Sequence, residues 1–414
     1  MAPGHDQSAN RAGGSARWWV LLGLWLLYVS FGLVAASVAP MVVPIQDSLA
    51  MSYTAMGSVM GAWQLVYIFS AVPCGILIDR LGGRKALLLG VSLIALSALG
   101  RAVADGYWGF LLAVMVFGLG GPIISSGAPK VVTGLFTGSQ RGLAMGIYMT
   151  GPAIGGVVCL TLTNSWLLPL FDMQWRWVMG LWAAFAAVAG LVWWLLAGRM
   201  PVSADEPAVA AGKASDSQLQ VMRELVRLPA VQVVLLMSIG VFMYNHGLNN
   251  WLPELLRGHG MTATAAGYWA ALPTLVGIAG SLLIPRLATP ERRFKILFGL
   301  CVAALFATVL LQWASSLTLT AGLVLQGIAR SSMMTVLILS LVELPAIGDR
   351  RAGVASGMFF SAAEVGGMLG PLGMGLMYDY SGGFTSALTA LSVISVVLLV
   401  GTAYLARLTR TAQA

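Results

Sequence analysis

The chain has 414 residues, 58% of them hydrophobic, and carries 23 Lys and Arg against 15 Asp and Glu, a formal net charge of +8. Only 9% of its residues are charged, whereas soluble domains average about 25%. Because this number of charged residues cannot cover a water-facing surface, most of the surface must face lipid. A soluble enzyme, a secreted factor and a nucleic-acid-binding protein are therefore excluded.

Apolar runs of about 20 residues, the length that crosses a bilayer as a helix, recur along the whole chain. They are longer than barrel strands and do not alternate, so they predict helices. The sequence thus predicts an all-α integral membrane protein with twelve spans. Their approximate positions are 18–43, 53–78, 86–104, 107–135, 142–163, 175–197, 230–251, 264–287, 296–314, 317–344, 353–378 and 384–405.

One long polar stretch, 198–228, separates six spans from six. We therefore predict an N-terminal arm (1–17), a six-helix bundle (18–197), a linker with a short surface helix near 218–228, a second six-helix bundle (229–405) and a tail (406–414). A shift of 211 residues supports an internal duplication, because it aligns the fifth span with the eleventh. Identical residues in that alignment are Gly142, Ala144, Gly146, Gly155 and Gly156 with Gly353, Ala355, Gly357, Gly366 and Gly367.

The distribution of basic residues predicts the orientation. With a cytoplasmic N-terminus, eighteen of the 23 basic residues fall in cytoplasmic segments, three (Arg101, Arg176 and Arg257) fall outside, and Lys130 and Arg330 fall within spans. This is the positive-inside pattern of a plasma (inner) membrane protein with both termini in the cytoplasm. The net charge therefore reflects topology and does not indicate a nucleic-acid partner.

The segment after the second span reads Gly75-Ile-Leu-Ile-Asp79-Arg80-Leu-Gly82-Gly83-Arg84-Lys85. It resembles the loop signature of the major facilitator superfamily, with Gly83 where an Arg is usual. The resemblance implies a secondary transporter in which two bundles rock about a central site, and a monomer. It also implies that Gly75, Asp79, Arg80, Gly82, Arg84 and Lys85 form a gate element, with Asp79 near the N-terminus of the eleventh helix, whose dipole favours a carboxylate. The alternative is that the basic residues only fix the topology.

Two further segments bear on the cargo. Gly146-Ile-Tyr-Met-Thr-Gly-Pro152-Ala-Ile-Gly-Gly156 is similar to a motif of drug/proton antiporters, although small residues also serve plain helix packing. Tyr244-Asn245-His246-Gly-Leu-Asn249-Asn250-Trp-Leu-Pro253 resembles the corresponding region of cyanate and nitroimidazole-type members, which move small, mostly anionic solutes.

Ionisable residues at bilayer depth are costly and are candidates for function. Arg330, in the tenth span, can bind a carboxylate with two parallel hydrogen bonds, or it can form a permanent pair with Glu364 of the eleventh. Glu364 is our candidate for proton coupling, because burial favours its neutral form and Arg330 favours its charged form. His246 can relay a proton or contact the substrate, or it can be a polar helix contact. Lys130 is expected to snorkel to the cytoplasmic surface, with an inner-gate role as the alternative.

Several polar side chains within the spans are predicted to contact the substrate beside Arg330 and His246, since Tyr, Asn and Gln supply hydrogen bonds in apolar helices. They are Asn245, Asn249, Tyr28, Gln64, Tyr67 and Tyr148. Arg101 and Asp105, four residues apart, are expected to neutralise each other. Cys74, Cys159 and Cys301 all fall within spans, which argues against disulfides and metal clusters.

No phosphate-binding loop, zinc-protease motif or nucleophile elbow occurs in the sequence, so we expect neither an ATP-driven pump nor an enzyme, and no cofactor. The leading hypothesis is a proton-coupled symporter of a small organic or inorganic anion. Its alternative is a proton-coupled antiporter that exports amphipathic compounds.

Overall fold

The computed structural model describes residues 6–198, 215–344 and 347–411, which are helices joined by short turns. The helices that carry the argument are α1 Asp6–Ala36, α2 Val42–Leu49, α3 Tyr53–Val103, α4 Tyr107–Leu135, α5 Gly138–Leu162, α6 Trp175–Ala197, α7 Ser215–Val226, α8 Pro229–Gly258, α9 Ala263–Leu287, α10 Arg293–Leu310, α11 Ser316–Val342, α12 Gly348–Ser381 and α13 Thr385–Thr411.

Within those ranges, eleven helical segments are long and apolar enough to cross a membrane. The longest, the 51-residue α3, contains two of the predicted spans and is broken at Gly82, whose φ of 75° and ψ of 164° are not helical. That backbone conformation is open essentially to glycine alone. The all-α membrane fold is confirmed, and the second and third spans are joined by one non-helical residue instead of a loop.

The first helix extends further than the sequence indicated, because α1 begins at Asp6 and includes most of the predicted N-terminal arm. Residues 1–5 lie outside the described part. At its other end, α1 stops at Ala36, a short 3₁₀ turn follows at Ala39–Met41, and α2 continues the chain.

Arg101, in the last turn of α3, contacts the end of α1. Its side chain is 1% exposed, and its Nη1 donates to the carbonyl oxygen of Val34 at 2.8 Å and to Ser37 Oγ at 3.1 Å. A cation is favoured where the last carbonyl groups of a helix point. The expected pairing of Arg101 with Asp105 is therefore wrong, because the guanidinium is held by the end of α1.

The chain separates into two compact units. The first contains Met1–Ser37, Phe69–Cys159 and Trp166–Ala211, and the second contains Val38–Ile68, Leu160–Ser165 and Gly212–Ala414. This division differs from the predicted bundles in that Val38–Ile68 and Leu160–Ser165 group with the second half of the sequence. The boundaries of two six-helix bundles stay a prediction.

The predicted surface helix of the linker corresponds to α7, where Glu224 forms an ion pair with Arg351 of α12 at 3.0 Å. Linker residues 199–214 and tail residues 412–414 lie outside the described part of the chain. The three cysteines are buried and form no disulfide in the described part of the chain.

Candidate functional site

Three polar side chains from three helices of the second unit lie together. Gln64 of α3 is fully buried, and its Nε2 lies 3.0 Å from Nδ1 of His246 of α8. The imidazole also packs against two aromatic rings, with ring centroids 5.9 Å from Trp63 and 5.4 Å from Phe242. The histidine is therefore held in one place and is not a freely rotating surface group.

Glu364 of α12 is the third member of this cluster. A β-carbon on Gly367 would lie 2.9 Å from Glu364 Oε2, 3.0 Å from Gln64 Cγ and 3.5 Å from His246 Cδ2. The three side chains thus surround Gly367, and any larger residue there would displace them. Glu364 is 7% exposed, and its Oε2 has no hydrogen-bond partner in the part of the chain that the structure describes.

Close packing of α8 on α12 brings His246 and Glu364 together. A β-carbon on Gly370 would lie 2.5 Å from the carbonyl oxygen of Met243 and 2.9 Å from the Gly247 nitrogen, so the backbones can approach this closely only with glycine at 370. Small residues permit the same close crossing in membrane helices generally.

Arg330 approaches the same region from α11. The residue is half-buried, and its Nη1 donates to Thr274 Oγ1 of α9 at 3.1 Å. It interacts electrostatically with Tyr244 and His246 of α8. Among the described residues Arg330 forms no ion pair with Glu364, so the permanent pair that the sequence left open is not present in this structure.

The asparagines and tyrosine around His246 differ in their roles. Asn250 donates from Nδ2 to the His246 carbonyl oxygen at 2.8 Å, a bond within its own helix. Asn245 Oδ1 and the Tyr244 hydroxyl are buried and have no hydrogen-bond partner within the described ranges, and Asn249 is half-buried. Tyr244 was not predicted as a site residue. Its position two residues before His246 was the available signal.

The remaining predicted substrate contacts lie in both units. Tyr67 is half-buried in the second unit, where its ring centroid lies 6.2 Å from that of Trp63. Tyr28 and Tyr148 are buried in the first unit with ring centroids 4.8 Å apart, and the Tyr28 hydroxyl donates to the Ile124 carbonyl oxygen at 3.3 Å. A substrate contact by these tyrosines stays a prediction.

The signature segment lies in the first unit around the break at Gly82. Asp79 accepts a hydrogen bond from Lys130 Nζ of α4 at 2.9 Å. Lys130, for which we expected snorkelling, therefore reaches the signature carboxylate. Arg84 donates from Nη2 to the Trp194 carbonyl oxygen at 3.1 Å and lies 3.9 Å over the Trp194 ring. Arg80 and Lys85 are exposed, and the gate role of the segment stays a prediction.

The described residues contain eleven helical segments that could cross a membrane, a signature segment at a helix break and a buried polar cluster. These features are those of a multi-pass membrane transporter. The family model described as "Major Facilitator Superfamily" matches residues 24–362, and the chain belongs to that superfamily. The recognition from the signature segment is thereby confirmed, and the protein is a transporter and not an enzyme.

The named relatives of this chain differ in the compounds to which their names refer. The chain is 23% identical over 365 residues to the hexuronate transporter of Bacillus subtilis (strain 168), covering 83% of each protein. It is 26% identical over 368 residues to a quinolone resistance transporter of Acinetobacter baumannii, covering 82% of each. The structure is similar, with a TM-score of 0.78 at 19% identity, to a bacterial homolog of the human lysosomal transporter Spinster, over 96% of this chain and 98% of that one. This likeness shows the fold alone.

Proposed function

We propose that the protein moves a small organic anion across the plasma membrane by alternating access, in symport with a proton. The observation that carries the proposal is the bonding of Arg330. Its guanidinium, in the interior of a membrane-spanning helix, donates to the neutral hydroxyl of Thr274 and pairs with no carboxylate among the described residues.

A charge at that depth costs several kcal/mol unless it is hydrated or paired. A carboxylate from the substrate would supply the missing counter-charge, because two parallel N–H groups of a guanidinium match its two oxygens. The anion would therefore bind at the Arg330 guanidinium and neutralise its charge.

Glu364 is the proposed site of the coupling proton. No described residue donates a hydrogen bond to its buried Oε2, and a carboxylate in such surroundings is stabilised by taking up a proton. Neutralising Glu364 by a proton and Arg330 by a monovalent anion leaves no unpaired charge in the loaded site, which lowers the cost of moving it across the membrane. Gln64 and His246, beside Glu364, would orient the proton and the substrate.

The relatives support an organic anion as one of two cargo classes. The Bacillus subtilis relative is a hexuronate transporter, and a hexuronate carries the carboxylate that Arg330 requires. Inorganic anions such as nitrate and cyanate share the charge, so the test must include both kinds.

Arg330 can be tested by ligand-induced thermal stabilisation of the purified protein. The ligands are D-glucuronate, acetate, benzoate, nitrate and cyanate, and the variants are Arg330→Ala and Arg330→Lys. We expect at least one anion to stabilise the parent protein and Arg330→Ala to abolish that effect. Arg286→Ala is the matched control, because Arg286 is exposed near the end of α9. An anion that stabilises Arg330→Ala as well as the parent would refute the role of Arg330.

The second candidate is a proton-coupled exporter of amphipathic drugs. It is favoured by the 26% identity to the quinolone resistance transporter, which covers 82% of both chains. Proteoliposomes with an imposed pH gradient separate the two functions. Accumulation of D-glucuronate with the proton gradient supports symport, and movement of norfloxacin against it supports export.

A further inference from the structure

Asp379, near the end of α12, binds the beginning of α3. Its Oδ1 accepts a hydrogen bond from the Tyr53 backbone nitrogen at 3.1 Å, and its Oδ2 accepts one from the Thr54 nitrogen at 2.7 Å. The hydroxyl groups of Ser52 and Thr54 lie near this carboxylate and stabilise its charged form. The carboxylate of Asp379 therefore caps the N-terminus of α3, which lies more than 300 residues away in sequence.

The first N–H groups of a helix have no acceptor within the helix. They carry the positive end of the helix dipole, which a carboxylate stabilises. Asp379 forms no ion pair among the described residues, and Arg257, a basic residue of the predicted outer side, is bound to Glu254 at 3.0 Å. The carboxylate is thus compensated by the start of α3.

The two helices pack closely on either side of this contact. The Tyr53 ring stacks on that of Tyr378 with centroids 3.6 Å apart. Gly57 and Gly61, four residues apart, present their bare backbone to α12, and a β-carbon on Gly61 would lie 2.6 Å from the Met368 carbonyl oxygen. Small residues at this spacing allow membrane helices to touch backbone to backbone.

We infer that Asp379 is a gate residue, whose carboxylate holds the start of α3 against the end of α12 and must release it before this end of the transporter can open. The contact joins the first half of the sequence to the second half, and the positive-inside distribution predicts that it faces outward. Tyr53 and Asp379 lie in the same compact unit of the structure, but they belong to the two predicted six-helix bundles, 18–197 and 229–405. Transport by rocking of these two bundles against each other requires such a contact to break in every cycle. The inference depends on the transport class of the protein and is independent of the cargo.

Pulsed electron–electron double resonance, which measures the distance between two spin labels, tests the gate without any substrate when the full chain is in nanodiscs. Spin labels on Ala50→Cys and Tyr380→Cys, both exposed positions, report the separation of α12 from the segment before α3. We expect Asp379→Ala to increase the ratio of molecules with a long label-to-label distance to those with a short one by roughly two- to fivefold. This range corresponds to the stabilisation that one carboxylate provides at a helix terminus. Asp379→Lys should increase it further, because it places a cation at the positive end of α3.

Three comparisons make the result specific. Asp105→Lys changes an exposed acid in the first unit and should leave the distances unchanged. Asp379→Glu should restore the parent distribution, because a carboxylate is again available. The melting temperature of each variant shows whether it is folded, and Asp379→Asn, nearly isosteric, replaces any variant that is not. Parent-like distances in folded Asp379→Lys or Asp379→Asn would overturn the inference.

Discussion

The side-chain nitrogen of Gln64 lies 3.0 Å from Nδ1 of His246 and joins α3 to α8 inside the second unit. An amide nitrogen only donates, so Nδ1 accepts this bond and the neutral imidazole carries its hydrogen on Nε2. A doubly protonated ring would place Nδ1–H against the amide N–H. The pair therefore favours neutral His246 beside Glu364.

Replacing Gln64 should disturb this arrangement. We expect Gln64→Leu to lower the free energy of unfolding by about 1 kcal/mol, since a buried side-chain hydrogen bond is lost, and to slow transport because His246 loses its fixed orientation. Chemical denaturation and D-glucuronate uptake measure the two effects. Gln312→Leu is the control, because the Gln312 side chain donates to the Thr308 carbonyl oxygen of its own helical region and joins no second helix through that bond. Equal effects of the two substitutions would contradict a role for the Gln64–His246 pair.

Glu364→Gln should separate proton coupling from substrate binding. Glutamine imitates the protonated acid, so the substrate still binds, but no proton can be gained or lost at this position. We expect exchange of internal for external D-glucuronate to persist, while accumulation driven by a pH gradient falls to the background level.

The same two assays on Glu291→Gln, an exposed acid at the start of α10, provide the comparison. Uphill, pH-driven uptake by Glu364→Gln at the parent rate would assign proton coupling to another residue.

The fold was predictable from the sequence for a simple physical reason. Runs of about 20 apolar residues have one stable form in lipid, and this fixes the elements. What the sequence did not reveal was which side chains face each other. Arg101 was assigned to Asp105, its neighbour four residues on, but its partners are the Val34 carbonyl oxygen and Ser37 on another segment.

The candidate site shows the same limit. His246, Glu364, Gln64 and Arg330 were found because polar groups in apolar helices are rare and stand out. The grouping of Gln64, His246 and Glu364 around Gly367 depends on how closely α8 and α12 approach each other, and no periodicity of an apolar helix encodes that distance. Tyr244 was missed because a tyrosine inside a span is equally suited to packing.

Lys130 and Asp79 should contribute only modestly to stability. Their side chains are 29% and 57% exposed, and solvent screens such ion pairs to about 0.2–1 kcal/mol. A double-mutant cycle with Lys130→Met and Asp79→Asn should yield a coupling energy in that range, which decreases at high salt. A salt-independent coupling of several kcal/mol would show that the pair is shielded from solvent.

Arg101 should discriminate between a guanidinium and an ammonium. The buried side chain makes two hydrogen bonds to the end of α1, which a shorter and more strongly hydrated lysine cannot reproduce. We expect Arg101→Lys to destabilise the protein by about 3–5 kcal/mol, because it leaves an uncompensated buried charge. Arg101→Met, which removes the charge, should cost less. Thermal unfolding in detergent measures both variants, and a more stable Lys variant would contradict this reasoning.

Gly82 and Gly75 of the signature segment should respond in opposite ways to alanine. Gly82 has a φ of 75° and a ψ of 164°, so Gly82→Ala forces a side chain into a disfavoured backbone region and should cost about 1–3 kcal/mol. Gly75 lies within the regular part of α3, and a β-carbon there would meet no other atom within 4 Å. Gly75→Ala should therefore be neutral or stabilise the helix by about 0.5–1 kcal/mol. Unfolding of both variants under the same conditions measures the difference. Equal losses would show that the break at Gly82 is not required, and that the segment can continue as an unbroken helix.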